Sequence, residues 1–319
     1  MTLARPSKPR LVLFAFGDFA FNIFWQSVML YLLFYYTDAL DIPIKVAATT
    51  YMIASVWDGL ASFAVGVLVD RRHARLKYRA IMIAGAVPLG LCFMLAYLPP
   101  SGTGPMAIAG ILVAHLLFRT AYAAVNVPYL AMTARVSVDT GDRAFVAGMR
   151  MLFGTAAAVV VALCTVPVGR WLTGSTASEA YFAVAVVGAA VGAGILVLVG
   201  MTYREAAPIE RPLPASVSDA LASLARNRAF ITLSVAMMAM IVAITVLNKS
   251  VLYYFKYLLN DPTRGSWRSR RWASLAAFPS RFGCCWVRLS ASARSGCSQP
   301  AWASSVCSAL ALWMCTRRG

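Results

Sequence analysis

At 319 residues the chain is large enough for more than one domain, yet 60% of its residues are hydrophobic, only 13% are charged and the mean hydropathy is +0.70. No water-soluble core of this size needs so much apolar surface, so the composition excludes a soluble globular protein and points to a chain solvated by lipid. The formal net charge of +17 would suit a nucleic-acid binder, but the segment up to Pro262 carries 20 Lys and Arg against 12 Asp and Glu, and the remaining nine Arg lie in the last 57 residues. Most of the excess in the first part sits between apolar runs, so no nucleic-acid partner is expected.

Seven runs are long enough to cross a hydrocarbon core, which takes about 20 helical residues. They are Leu11–Thr37, Val46–Val69, Ala80–Leu98, Met106–Ala134, Ala144–Gly169, Ala180–Tyr203 and Ala229–Asn248. None alternates with the period of a barrel strand, and a span in lipid must satisfy its own backbone hydrogen bonds, so helices are predicted. The first run is too long for a signal peptide and lacks a small-residue cleavage site, so it is expected to be retained.

The basic residues alternate along the chain. Arg5, Lys8 and Arg10 precede the first run, Arg71, Arg72, Arg75, Lys77 and Arg79 fill the second loop, and Pro99–Pro105 carries no charge. The positive-inside rule then predicts a cytoplasmic N-terminus in a multi-pass protein of the cell (inner) membrane. Tyr31, Tyr35 and Tyr36 fall where an interfacial aromatic belt is expected. Residues 1–203 read as a six-helix bundle, 204–228 as a cytoplasmic central loop, and 229–262 as a seventh helix opening a second half. The segment Thr263–Gly319 stands apart, with nine Arg, no acid, five of the seven Cys and five of the eight Trp. It reads as GC-rich coding sequence out of frame; the alternative is a basic tail lying on anionic lipid.

The chemistry-bearing residues are few. His73 and His115 are the only histidines, the cysteines show no metal-ligand pairing, and there is no phosphate-binding glycine loop. No catalytic residues, no bound metal and no cofactor are expected, so an enzyme is not. The informative residues are polar ones inside the runs. Asp18, Asn22 and Gln26 recur at helical spacing on one face of the first run, and Tyr51, Ser55, Asp58 and Ser62 on one face of the second. His115, Arg119, Ala123 and Asn126 line up in the fourth, and Arg150 lies near the start of the fifth. Asp58 is the only charged residue between Val46 and Val69, and a carboxylate at that depth is costly enough to mark a functional site. Two acids and two arginines in one six-helix half predict a polar site in which opposite charges compensate.

Several ordered segments then carry a family resemblance: GDFAFNIFWQ and YLLFYYTD between Gly17 and Asp38, VWDGL at Val56–Leu60, YAAVNVPYLAM at Tyr122–Met132, DRAFVAGMRMLFG at Asp142–Gly154 and YYFKYLLND at Tyr253–Asp261. From about residue 10 to 262 the chain resembles the glycoside-pentoside-hexuronide:cation symporters, the melibiose-permease branch of the major facilitator superfamily. The resemblance implies an all-α polytopic fold, here the N-terminal six-helix half plus a seventh helix. It also implies alternating-access symport of a sugar or glycoside with a coupling cation. It assigns Asp58 to the cation and Asp18 and Arg150 to the solute, with Asn126 standing where the melibiose-permease branch has a sugar-binding acid; the helical faces then add Ser62 to the cation set and Asn22 and Arg119 to the solute set. Where sodium-binding members carry further oxygen ligands this chain has Ala61, Ser62 and Ala123, which makes H+ the expected coupling ion rather than Na+. Leu130 replaces a sugar-stacking Trp, which leaves a lipid or lysolipid carrier as one alternative, and an inactive truncated fragment is the other. For the tail, resequencing across codon 262 is the check: a shifted frame is expected, and an intact one contradicts it.

Overall fold

The computed structural model describes residues 7–72, 78–100, 102, 104–133, 136–137, 139–175, 177–203 and 217–253, with only the backbone at 72, 217–221, 248–249 and 251–253. All of these belong to one compact unit. The tail after Pro262 lies outside the described residues, as do His73 and residues 204–216 of the central loop.

Every element among the described residues is helical. They are α1 (Lys8–Ser27), α2 (Ile44–Arg72), α3 (Tyr78–Ala96), α4 (Pro105–Thr133), α5 (Thr140–Thr173), α6 (Ser178–Thr202), α7 (Val217–Arg226) and α8 (Arg228–Tyr253). Seven of them, all but α7, are long and apolar enough to cross a membrane, in agreement with the seven predicted runs. Beyond Ser27, α1 widens into two π-helical turns, Val28–Leu32 and Tyr35–Ala39. The wider turn ends with Leu40 N–H donating to Tyr35 O at 3.1 Å. Part of the predicted central loop is the short helix α7. α5 begins at an Asp139 cap, whose carboxylate accepts from Gly141 N–H, and ends at Gly174, whose φ of 67° is the left-handed conformation that glycine adopts without strain.

Helices α1 to α6 form a bundle in which α1 packs on α5 and α6, α3 on α4 and α6, and α2 on α4. Lipid offers apolar side chains no reason to leave it, so such helices associate by close packing, with small residues letting backbones approach. Gly85 of α3 faces Val125 of α4 in this way, and Gly192 of α6 faces the Phe24 ring of α1. That ring is fully buried and meets Phe93 edge-on at 5.0 Å. Apolar side chains of α2, among them Met52, Val56 and Leu60, remain exposed on the bundle surface, as hydrocarbon solvation allows.

The tyrosines near the end of α1 are not a lipid-facing belt. Tyr35 and Tyr36 are 0% exposed and Tyr31 only 5%. Their hydroxyls reach inward: Tyr31 donates to Ala162 O at 3.1 Å and Tyr35 to Tyr97 O at 2.9 Å, while Tyr36 sits 3.5 Å from His115 Nδ1. Composition and position suit a belt, but a phenol serves equally well as a packing element whose polar tip satisfies a buried acceptor, and here the π-helical turns carry these residues into the bundle.

Gly192 tests the close-packing account. A Cβ there would lie 2.5 Å from Phe24 Cζ, whereas at Gly194 it would meet nothing within 4 Å. Gly192→Ala is therefore expected to cost about 1–3 kcal/mol through overpacking, read as a lowered melting temperature of the detergent-solubilised protein. Gly194→Ala should melt like the parent, and equal melting of both variants would contradict the packing.

Candidate functional site

The bundle brings the two acids and two arginines predicted from helical spacing into two ion pairs. Asp18 of α1 faces Arg150 of α5. The guanidinium donates from Nη2 at 2.9 Å and Nε at 3.2 Å, both to Asp18 Oδ1, and from Nη1 to Thr133 Oγ1 at 3.0 Å. It also lies over the Tyr129 ring, 5.1 Å from the centroid. Tyr129 is itself pinned by donation from its hydroxyl to Phe14 O at 3.0 Å. Arg150 is thus held by three helices, and the side chains of the pair remain partly exposed, at 18% and 17%.

Room for this pair comes from Gly154, one turn after Arg150. A Cβ at that position would lie 3.0 Å from Asn22 Nδ2 and 3.4 Å from Asp18 Oδ2. Arg150 uses only one carboxylate oxygen, so Oδ2 remains an acceptor for a ligand hydroxyl. Asn22 donates to the Asp18 carbonyl at 2.8 Å, one turn back along its own helix.

The second pair is Asp58 of α2 with Arg119 of α4, Oδ2 to Nη1 at 3.4 Å. Arg119 is 2% exposed, and aromatic and polar groups enclose it. Its Nε donates to His115 Nε2 at 3.3 Å, its Nη2 to Tyr51 Oη at 3.5 Å, and its plane lies 4.9 Å from the Trp25 ring centroid. Because Nε2 of His115 accepts, Nδ1 carries the ring proton and points it to Tyr36, a tautomer assigned from this geometry. Asp58 is left half satisfied: its Oδ1 is buried and has no hydrogen-bond partner among the described residues. A buried carboxylate oxygen without a donor is costly, and sites of this kind are typically completed by a proton or a cation.

The fields of Asp18, Asp58, Arg119 and Arg150 all reach the phenol of Tyr122 on α4. Its ring packs on Trp25 at 5.4 Å and Phe21 at 5.8 Å. Helical spacing had not singled out Tyr122, Tyr129 or Thr133. Yet Tyr122, Asn126, Tyr129 and Thr133 recur at i, i+4, i+7 and i+11, one stripe of α4 that the sequence contains.

The remaining predicted residues are placed less tightly. Asn126 and Ser62 are half-buried and make no side-chain hydrogen bond among the described residues, although Asn126 lies on the same stripe as Tyr122 and Ser62 one turn beyond Asp58. Arg119, predicted beside the solute residues, has its guanidinium committed to Asp58, His115 and Tyr51.

Residues 13–316 match the sequence family described as MFS/sugar transport protein. The match runs on into the tail set apart after Pro262 and so does not favour an inactive truncated fragment. Among curated proteins, the chain is 27% identical over 252 residues to the inner membrane symporter YicJ of Escherichia coli (strain K12), covering 78% of this chain and 54% of that protein. It is 24% identical over 259 residues to the symporter YnaJ of Bacillus subtilis (strain 168), itself uncharacterised, covering 80% and 56%. Identity to the isoprimeverose transporter of Lactiplantibacillus pentosus is 23% over 257 residues, 79% and 54%. The chain spans a little over half the length of these relatives. All three are named as transporters or symporters, in line with a non-enzymatic role.

The Asp18–Arg150 pair yields a direct test. Arg150→Met leaves Asp18 without its partner, and a loss of about 1–3 kcal/mol is expected for a partly exposed group of this kind. Asp18→Asn combined with Arg150→Met removes both charges and should recover most of that loss. A double variant as unstable as the sum of the two single ones would show that the pair is not coupled.

Proposed function

The chain belongs to the MFS/sugar transport protein family, and from that premise we propose that it moves a sugar or glycoside together with a cation, H+ rather than Na+, by alternating access. The observation that carries this reading is Asp58 Oδ1, a buried acceptor without a partner among the described residues, in the middle of a membrane-crossing helix. A proton needs only that one lone pair, whereas a hard metal cation needs several oxygens. Close to Asp58 along its own helix and across on α4, Ala61 and Ala123 offer none, and Ser62 supplies a single hydroxyl.

The solute is read onto the other pair. Asp18 Oδ2 and the oxygens of Asn22 and Asn126 accept from sugar hydroxyls, and Arg150 fixes the carboxylate through its two bonds to Oδ1. The fields of both pairs reach Tyr122. The chain lies in the inner membrane with its N-terminus cytoplasmic, as supported by Lys8 and Arg10 at the start of α1 and by Arg71 and Arg79 at the facing ends of α2 and α3. It is a carrier, with the lipid bilayer as its solvent, and not an enzyme.

Two substitutions test the division of labour. Asp58→Asn removes the titrating carboxylate and should lower cation-driven accumulation in membrane vesicles to the equilibrium level, at a cost in stability because Arg119 loses its anion. Retained uphill uptake would take Asp58 out of the mechanism. Arg150→Ala releases the Asp18 carboxylate that Arg150 holds and should weaken solute binding by about tenfold or more, while changing cation binding less. Equal effects on the two would make Arg150 structural.

A further inference from the structure

Arg119 is the one charged side chain in the described bundle that is almost wholly buried and also enclosed by rings. Trp25 and Tyr51 place ring faces 4.9 and 5.8 Å from its guanidinium carbon, and His115 and Tyr51 accept two of its hydrogen bonds. His115 is itself fully buried and is backed by Tyr36 at 3.5 Å. This shell leaves the guanidinium no route to water by snorkelling, so its charge must be compensated where it stands. The anion that faces it is Asp58, since Asp18 is engaged by Arg150.

We propose that Arg119 is a tethered internal cation: it fills the charge-compensating place beside Asp58 and thereby excludes Na+ and Li+ from that carboxylate, which makes it a residue that determines ion specificity. This rests on the reading of Asp58 as the coupling carboxylate. The physical reason is twofold. An alkali cation at Asp58 would sit within a few ångströms of a fixed guanidinium in a low-dielectric interior, where like charges repel strongly. It would also find few oxygens, because the Tyr51 hydroxyl is already occupied by Arg119 and Ala61 and Ala123 supply none. A proton escapes both limits, since it needs no coordination shell and reaches Oδ1 on the side of the carboxylate away from the ion-pair contact at Oδ2.

The test is a binding measurement on the purified full chain, with no solute and no gradient. NaCl or LiCl replaces N-methylglucamine chloride at constant ionic strength, and tryptophan fluorescence and thermal unfolding are followed. Trp25, stacked on Arg119, is the built-in reporter. The parent protein and Arg119→Lys, which keeps the tethered charge, should show no Na+- or Li+-specific change. Arg119→Gln should gain a saturable one, at a concentration at least about tenfold below any response of the parent, and adding Asp58→Asn should abolish it. A parent response that Asp58→Asn removes would overturn the proposal, and so would a folded Arg119→Gln that stays silent. Should Arg119→Gln not fold, the parent decides: silence upholds the proposal and an Asp58-dependent response ends it. Because the assay contains no solute, failure to transport sugar leaves its outcome unchanged, and sugar transport with a silent, folded Arg119→Gln would remove this inference alone.

Discussion

Everything in this bundle depends on how four charges are kept inside an apolar medium. One charged residue at mid-bilayer costs about 3 kcal/mol on insertion scales, so four unpaired ones would cost roughly 12 kcal/mol, as much as the whole stability of a typical domain. The chain meets this constraint by pairing across helices. Asp18–Arg150 bridges α1 and α5, Asp58–Arg119 bridges α2 and α4, and both helix pairs are closely packed. Helix α4 serves both sites: Arg119 sits in one, and Tyr129 and Thr133 support Arg150 in the other. The two pairs differ in how completely they are satisfied. Arg150 makes three good hydrogen bonds, whereas Arg119 approaches Asp58 only to 3.4 Å and leaves the second oxygen bare. The less satisfied pair is the one at which a change of charge has most to gain, which is why the cation is assigned there and the solute to the other.

Tyrosines complete the polar accounting. Tyr31, Tyr35, Tyr97 and Tyr129 each present an apolar ring to the core and donate to a distant backbone carbonyl, on another helix for Tyr31, Tyr97 and Tyr129 and in the turn after α3 for Tyr35. Such bonds lock helix register without adding charge, and each donor is satisfied where water is absent.

The fold was legible because hydrophobic length is the strongest signal a membrane chain carries. The seven predicted runs fall on seven helices; most ends shift outward by a few residues, as at the start of α5, while α3 stops at Ala96, short of the predicted Leu98. The charged residues of the site were legible too, because a carboxylate or guanidinium in an apolar run stands out. Pairing was less so. Helical spacing puts Asp58 and Arg119 each on a face, but which face meets which is decided by packing, and Arg119 turned out to be enclosed with Asp58 instead of set beside Asp18. The tyrosines were misjudged for a related reason, since sequence position near a helix end does not distinguish a lipid-facing ring from one drawn inward through a π-helical turn. Tyr122 was passed over because an aromatic in an apolar run carries no contrast. Ser62 and Asn126 stay where helical spacing put them, with no protein partner to define a role.

The central claim is that movement of the solute is tied to a proton and to no metal cation. The most direct measurement reconstitutes the chain in proteoliposomes and compares uptake of labelled sugars and glycosides under an inward proton gradient, an inward Na+ gradient and no gradient. Accumulation above equilibrium with the proton gradient alone, in sodium-free buffer, is the predicted result. Accumulation that requires Na+, or that is the same with no gradient, would contradict it.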